Sequence, residues 1–325
     1  MKKAFARGFA LCFICLLFAM PVAAQTYPSK AIKIIVPFPP GGGSDSVSRV
    51  IAERLSKSWN QPVIVENRAG AGGSIGTDFV AKSPADGYTL LVTDASAVTI
   101  NPNVYSRLPY AAKDLTPVIN LATFSMVLLV PVKSPLNSLS DMVAAEKAKP
   151  GSLNGASPGA GSSPHLMLEL MNSMAGTKLV HVPYKGGGPA ITDLVAGQVD
   201  FSFSGLSSGA MGMISTGKLK ALAVTTIARN ANLPQVPTLA ESGFRGMDVF
   251  SAQSLLVPAG TPPEIVNKLN SEISNILEMP DVKTRWMQWG FLPQPQQSPN
   301  QVGAWFTQET DRWAKLIKEK NIAAE

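Results

Sequence analysis

The stretch Ile32-Lys33-Ile34-Ile35-Val36-Pro37-Phe38-Pro39-Pro40-Gly41-Gly42-Gly43-Ser44 decides the fold. Residues 32–36 read as a short apolar strand, and residues 37–43 as a turn rich in proline and glycine. Ser44 is a good helix N-cap, and Val47, Val50, Ile51 and Leu55 follow it at helical spacing. Strand, glycine turn, helix: this unit then recurs along the chain.

Residues 63–65 lead into Gly70-Ala71-Gly72-Gly73-Ser74 and a short helix through Phe79 and Val80. A third strand, 89–93, ends at Asp94-Ala95-Ser96. The middle of the chain repeats the scheme. A strand at 127–130 precedes a helix at 140–149 that Pro150-Gly151 stops. Residues 153–156 lead into Ser157-Pro158-Gly159-Ala160-Gly161-Ser162-Ser163 and a helix over 164–174. Residues 179–182 lead into Tyr184-Lys185-Gly186-Gly187-Gly188, and 199–203 into Ser204-Gly205-Leu206-Ser207-Ser208, each followed by a helix. One more strand is expected at 221–224, and from about Pro262 the pattern is helical alone.

Strands alternating with helices imply mainly parallel sheets covered on both faces. Two such sets imply two α/β lobes. The apolar stretches 121–131 and 250–257 are placed to cross between them as a hinge, which gives lobe one as 25–125 plus 251–325 and lobe two as 126–250.

The first 24 residues read as a secretory signal. Lys2, Lys3 and Arg7 precede the apolar run 9–20, which is too short to span a bilayer, and Val22-Ala23-Ala24 offers a cleavage site. Cys12 and Cys15 both fall inside it, so the mature chain is expected to hold no disulfide, cysteine nucleophile or thiolate metal site. Losing the three basic residues brings the formal charge from +6 to +3, with no basic stripe for nucleic acid.

In open α/β sheets ligands bind beyond the carboxyl ends of strands, where helices begin. Every glycine turn above occupies that position. Unpaired amides and the helix dipole favour an anion there, and glycine lets the backbone close around it.

Enzyme motifs fail individually. Gly155-Ala156-Ser157-Pro158-Gly159 matches the spacing of a nucleophile elbow, but the oxyanion donor after the serine would be Pro158, which has no N–H. The run 212–219 ends in Leu219 where a phosphate loop needs serine or threonine, and 70–75 lacks the third glycine of a dinucleotide fingerprint. His165 and His181 are the two histidines, with no metal-ligand spacing around them. Asp45 is favoured in a first helical turn by the dipole alone. Arg68 reads as a brace.

The ordered set Val36-Pro37-Phe38-Pro39-Pro40-Gly41-Gly42, Val65-Glu66-Asn67-Arg68, Gly70-Ala71-Gly72-Gly73 and Asp86-Gly87-Tyr88-Thr89-Leu90 continues further along the chain. His181-Val182-Pro183-Tyr184-Lys185-Gly186, Leu222-Ala223-Val224-Thr225 and Pro237-Thr238-Leu239-Ala240-Glu241 complete it. It resembles the tripartite tricarboxylate transporter receptors, or Bug-type solute-binding proteins, across essentially the whole mature chain.

That resemblance implies a two-lobed α/β periplasmic-binding-protein fold of the type II, Venus flytrap kind. It implies a monomeric periplasmic receptor, with no catalysis, cofactor or metal, that binds a small carboxylate through loop amides and ordered waters. The carboxylate would pass to membrane permease subunits, or, in the alternative reading, be presented to a signalling kinase. The implied ligand contacts are Phe38, Gly42, Ser44, Asp45, Gly72, Gly73 and Ser74 in one lobe. In the other they are Ser157, Gly161, Ser162, His165, Tyr184, Lys185 and Ser204. Two departures stand out. Ser204 replaces an acid or amide common in the family, which leaves a ligand ammonium without its partner and favours a non-amino carboxylate. Ala252-Gln253-Ser254 replaces a Trp-x-Gly pattern and alters the pocket's shape.

Overall fold

The computed structural model describes residues 27–206, 208–247, 249–320 and 322; the expected leader and both cysteines lie outside the described residues. Strands β1 (Ile32–Val36), β2 (Val63–Asn67) and β3 (Thr89–Asp94) alternate with helices α1 (Gly43–Trp59) and α2 (Ser74–Ala81), and two single-turn helices follow β3. The long strand β4 (Leu115–Pro131) leads to α3 (Leu139–Ala148), β5 (Asn154–Ser157), α4 (Ser163–Ala175), β6 (Val180–Pro183) and α5 (Gly187–Val195). Then come β7 (Phe201–Gly205), α6 (Ser208–Ser215), β8 (Leu219–Val224) and β9 (Phe250–Pro258). Helices α7 (Pro263–Glu278) and α8 (Pro280–Gln288), strand β10 (Phe291–Pro293) and helix α9 (Pro299–Lys320) close the chain.

The strands form one curled sheet in the order β2-β1-β3-β9-β4-β7-β5-β6, with β8 and β10 also paired to β4. Each wing is parallel: β1 with β2 and β3, and β5 with β6 and β7. Between the wings, β9 runs antiparallel to β3 and β4, and β4 antiparallel to β7 and β8. Crossover helices demand the parallel wings. The antiparallel centre arises because β4 and β9 carry the chain from one lobe to the other and back. Pairing of β4 changes hands between Ser125, opposite Phe250 of β9, and Met126, opposite Gly205 of β7.

Alternation along these strands fills two layers in each lobe. Ile34, Leu90 and Leu255 point into one core with Val47, Ile51 and Leu55 of α1, while Ile35, Leu91 and Leu256 point into the opposite one. In the second lobe Met126, Leu128 and Val130 join Leu166, Leu170 and Phe201, while Val127 and Leu129 join Leu194 and Val224. Helix α9 spans both: Val302 and Phe306 pack in the first lobe, Trp313 and Ile317 in the core of the second. Its last turns therefore do not share the first-lobe placement expected for the whole of 251–325.

The start of α1 also differs from expectation. Gly42 occupies the N-cap, with no side-chain cap, and the Ser44 hydroxyl reaches across to Gln253 at 2.6 Å. Long-range geometry thus takes the hydroxyl from the local role that its position suggests.

Trp286 is the largest fully buried side chain, and its indole Nε1 donates to the Leu121 carbonyl of β4 at 2.9 Å. Trp286→Ala removes a large core side chain and leaves that carbonyl unpaired. The expected loss is about 3–5 kcal/mol, read as a lower midpoint in urea unfolding.

Candidate functional site

A cavity of about 290 Å³ lies between the lobes, close to the lower end of small-molecule pockets. Its first-lobe wall is the turn after β1, Gly41 to Ser44 with Phe38, together with Asp94 and Ser96 after β3. Phe124 of β4, Gln253 of β9 and Phe291 of β10 come from the strands that cross or pair at the centre. The second lobe adds Pro158, Ser162 and Pro164 near the start of α4, Gly187, Gly188, Ile191 and Thr192 of α5, Ser204 and Gly205 of β7, and Gly209, Ala210 and Met213 of α6.

Four helix starts, those of α1, α4, α5 and α6, therefore meet one cavity. Amides of a first helical turn have no partner within their own helix. At α1 and α5 the N-cap residues Gly42 and Gly186 provide no side-chain acceptor either. Helix α4 is capped internally, by Ser162, whose hydroxyl donates to the Gly159 carbonyl at 2.6 Å and accepts from the His165 amide. Gln253 adds a donor: its Oε1 is taken by Ser44, which leaves its amide N–H groups as its remaining capacity. Phe38, Phe124, Phe291, Ile191 and Met213 make the rest apolar.

No lysine, arginine or histidine lines the cavity among the described residues; its charged side chain is Asp94. Asp94 Oδ1 accepts from the Ser251 hydroxyl at 2.7 Å and the Ser96 amide at 2.8 Å. Burial pushes this carboxyl above the usual range, and bonds from Ser251 and Ser96 pull it only part of the way back.

Residues 47–322 match the model of the tripartite tricarboxylate transporter family receptor. The chain belongs to that receptor family. Protein BugT of Bordetella pertussis is 39% identical over 303 residues, covering 93% of this chain and 92% of its own. Two solved structures are similar throughout. R. palustris Rpa4515 with adipate is 34% identical with a TM-score of 0.87, covering 91% of this chain and 99% of its own. MatC from Rhodopseudomonas palustris with bound malate is 32% identical with a TM-score of 0.86, covering 90% and 100%. The family is one of solute-binding receptors and not a class of enzymes.

Of the residues that the sequence offered as ligand contacts, this receptor places Phe38, Gly42, Ser44, Ser162 and Ser204 on the cavity wall. The others have partners elsewhere. Asp45 is gripped by Arg49 through both carboxylate oxygens, by the Gly41 amide and by Asn67. Burial alone would raise its pKa, but these bonds outweigh that and hold it below the carboxylate range. Its work is to fix the β1–α1 turn. Tyr184 donates to Asp193 at 2.8 Å, Lys185 is exposed, and Ser74 bonds to the Tyr110 hydroxyl.

Gly72 and Gly161 lie where the lobes touch. A Cβ on Gly72 would stand 2.5 Å from the Ala160 carbonyl of the other lobe, and one on Gly161 2.5 Å from Asn101. Both have positive φ, so glycine is required there twice over. Gly73 backs the Phe38 ring, which would lie 3.1 Å from an added Cβ.

Ser157 and His165 belong to a buried cluster behind the α4 start. Ser157 Oγ is 2.6 Å from His181 Nε2, the two imidazoles stack at 3.9 Å, and His165 Nδ1 accepts from the Gly161 amide. A serine beside an imidazole resembles a hydrolytic pair. Yet Ser157 is 1% exposed and off the cavity wall, and the next residue, Pro158, has no amide to donate. The cluster is structural.

Asp94, Phe124 and Phe291 were not among the contacts offered by the sequence, and Gln253 was marked there only as part of the Ala252-Gln253-Ser254 departure that alters the pocket's shape. Asp94-Ala95-Ser96 was visible as a strand end, which was the available signal for Asp94; Phe124 and Phe291 carry no local mark.

Desolvation lowers His165 to about 4, and desolvation with the nearby His165 charge lowers His181 to about 3. The unfolded chain takes up these protons from about pH 6.5 downward, whereas the folded chain resists until the lower values. Stability is therefore expected to fall as pH drops from about 6.5 toward 4 and to be unaffected by these groups above that window. Thermal melts across this range check it: a His165→Gln/His181→Gln variant should show a flatter acid limb than the parent.

Proposed function

We propose that this chain is an exported periplasmic receptor that closes two lobes over a small carboxylate and delivers it to the permease of a tripartite tricarboxylate-type transporter. The observation that carries the reading is the cavity lined by the starts of four helices and by no cationic side chain among the described residues. Such a wall holds an anion through amides and dipoles, without an arginine clamp. The relatives solved with adipate and malate hold small carboxylates, which agrees with that chemistry.

The lobes we assign are 25–125 with 251–325, and 126–250, with the last turns of α9 packed on the second lobe and the hinge where β4 leaves β9 for β7. Across the rim Pro39 lies against Gly186, and Tyr105 Oη donates to the Ala160 carbonyl at 2.6 Å. Export rests on the basic and apolar leader, which ends in Val22-Ala23-Ala24. Receptor and permease act in sequence, so no bond in the ligand is broken here.

Native mass spectrometry of protein from the periplasm, followed by thermal shifts with mono-, di- and tricarboxylates, aromatic acids and amino acids, tests the reading. At least one carboxylate is expected to raise Tm in proportion to the logarithm of its concentration. Gln253→Ala should weaken that ligand roughly ten- to hundredfold, in line with the loss of about one hydrogen bond to a charged group. Shifts from neutral sugars alone would overturn the assignment.

A further inference from the structure

We propose that capture of the carboxylate takes up one proton, which Asp94 holds on the cavity wall and shares with the bound anion. This rests on the carboxylate reading above and adds a second bound species to it.

Asp94 ends β3 and lines the cavity. Its Oδ1 accepts from Ser251 Oγ of β9 at 2.7 Å and from the Ser96 amide at 2.8 Å. The hydroxyls of Ser96 and of Ser163, the latter at the start of α4 in the second lobe, also bond to the carboxyl. Every one of these partners is an amide or a hydroxyl. An arginine or lysine would fix the ionised form, whereas a hydroxyl donates to a carboxylate and accepts from a carboxylic acid. The site therefore suits either protonation state.

Neighbouring charges do not decide that state, because they are taken up among themselves. On α1, Asp45 and Arg49 bind each other. On α4, His165 lies 3.8 Å from Glu169 and stacks on His181. On α5, Asp193 accepts from Tyr184. Strand β9 offers only the neutral Ser251 and Gln253, and no lysine, arginine or histidine lines the cavity among the described residues.

The bound anion supplies the charge that does decide it. A cavity of about 290 Å³ keeps a carboxylate within about one Debye length, roughly 8 Å, of Asp94. Two carboxylates that share a site without a cation resist joint ionisation, and the pKa of one rises. A proton on Asp94 ends the repulsion and turns an acceptor into an O–H donor for the anion. It also leaves the amides of the helix starts to the ligand alone. Burial by itself already moves the Asp94 carboxyl upward, and the ligand moves it further the same way. The proton comes from solvent on binding and returns to it on release; no other bond changes. Because the pKa rises on binding, affinity is greatest below the value of the ligand-free receptor. It falls by up to about tenfold per pH unit as pH climbs from there to the value of the complex.

A purely structural role would need only the acceptor at Oδ1, which asparagine retains, while asparagine cannot titrate. Isothermal titration calorimetry in buffers of different ionisation enthalpy counts the protons, at pH values from about 5.5 to 8. The probes are succinate, malate, adipate and benzoate, with any further carboxylate that the thermal-shift panel selects. At one pH or more, the parent is expected to take up at least half a proton more per bound anion than Asp94→Asn. Its Kd should also rise with pH more steeply than the variant's. If the variant does not fold, the parent's own count above about pH 6.5, where these anions are ionised, decides by the same threshold. A smaller uptake at every pH, for every anion that binds, would overturn the proposal while the carboxylate receptor stands. Failure of every carboxylate to bind would overturn both.

Discussion

The antiparallel pairing of β4 with β9, from Leu115 opposite Pro258 to Ser125 opposite Phe250, holds the two lobes to one sheet. Each strand also pairs outward, β9 with β3 and β4 with β7 and β8, so the parallel wings hang on this central pair. The floor of the cleft is a consequence. Asp94 faces Gln253 across the β3–β9 ladder, Ser251 faces Phe124 across β9 and β4, and Ser251 holds the Asp94 carboxylate. A shift of one residue in either register would exchange the faces of all these side chains. Burial on both faces of β9 and of the second-lobe half of β4 resists such a shift, because neighbouring residues at 255–257 and 126–130 belong to different cores.

Above that floor the backbone does most of the chemistry. The helix starts present amides that their own helices cannot satisfy, and the apolar side chains of Phe38, Phe124, Phe291 and Ile191 keep water scarce around them. Amides in fixed positions need no side-chain ordering when a ligand arrives, unlike a long arginine or lysine. The glycines divide into two kinds. Some, such as Gly187 and Gly188, line the cavity, while Gly72, Gly161 and Gly186 let one lobe's backbone press against the other. Close approach across the rim has the same steric requirement as a ligand site, namely no Cβ, and from sequence the two uses look alike.

The histidine cluster makes the same point for side chains. Ser157, His165 and His181 carry the atoms of a reactive site, although in the sequence the serine motif and the two histidines stand apart. Packing decides otherwise: the serine is buried, the imidazoles are desolvated and stacked, and their bonds brace the turn that positions Ser162.

Sequence by itself determined the repeating strand–turn–helix unit, the two α/β lobes and the placement of glycine turns at helix starts. These depend on local periodicity and on residues whose backbone preferences act within a few positions. It also marked Phe38, Gly42, Ser44, Ser162 and Ser204, which lie in or beside turns that the tertiary fold turns toward the cleft. Only the tertiary structure decided which glycines meet the cavity and which meet the opposite lobe. It alone brought Asp94, Phe124, Gln253 and Phe291 to one wall, because strand pairing joins residues far apart in the chain and no local pattern encodes a partner at that distance.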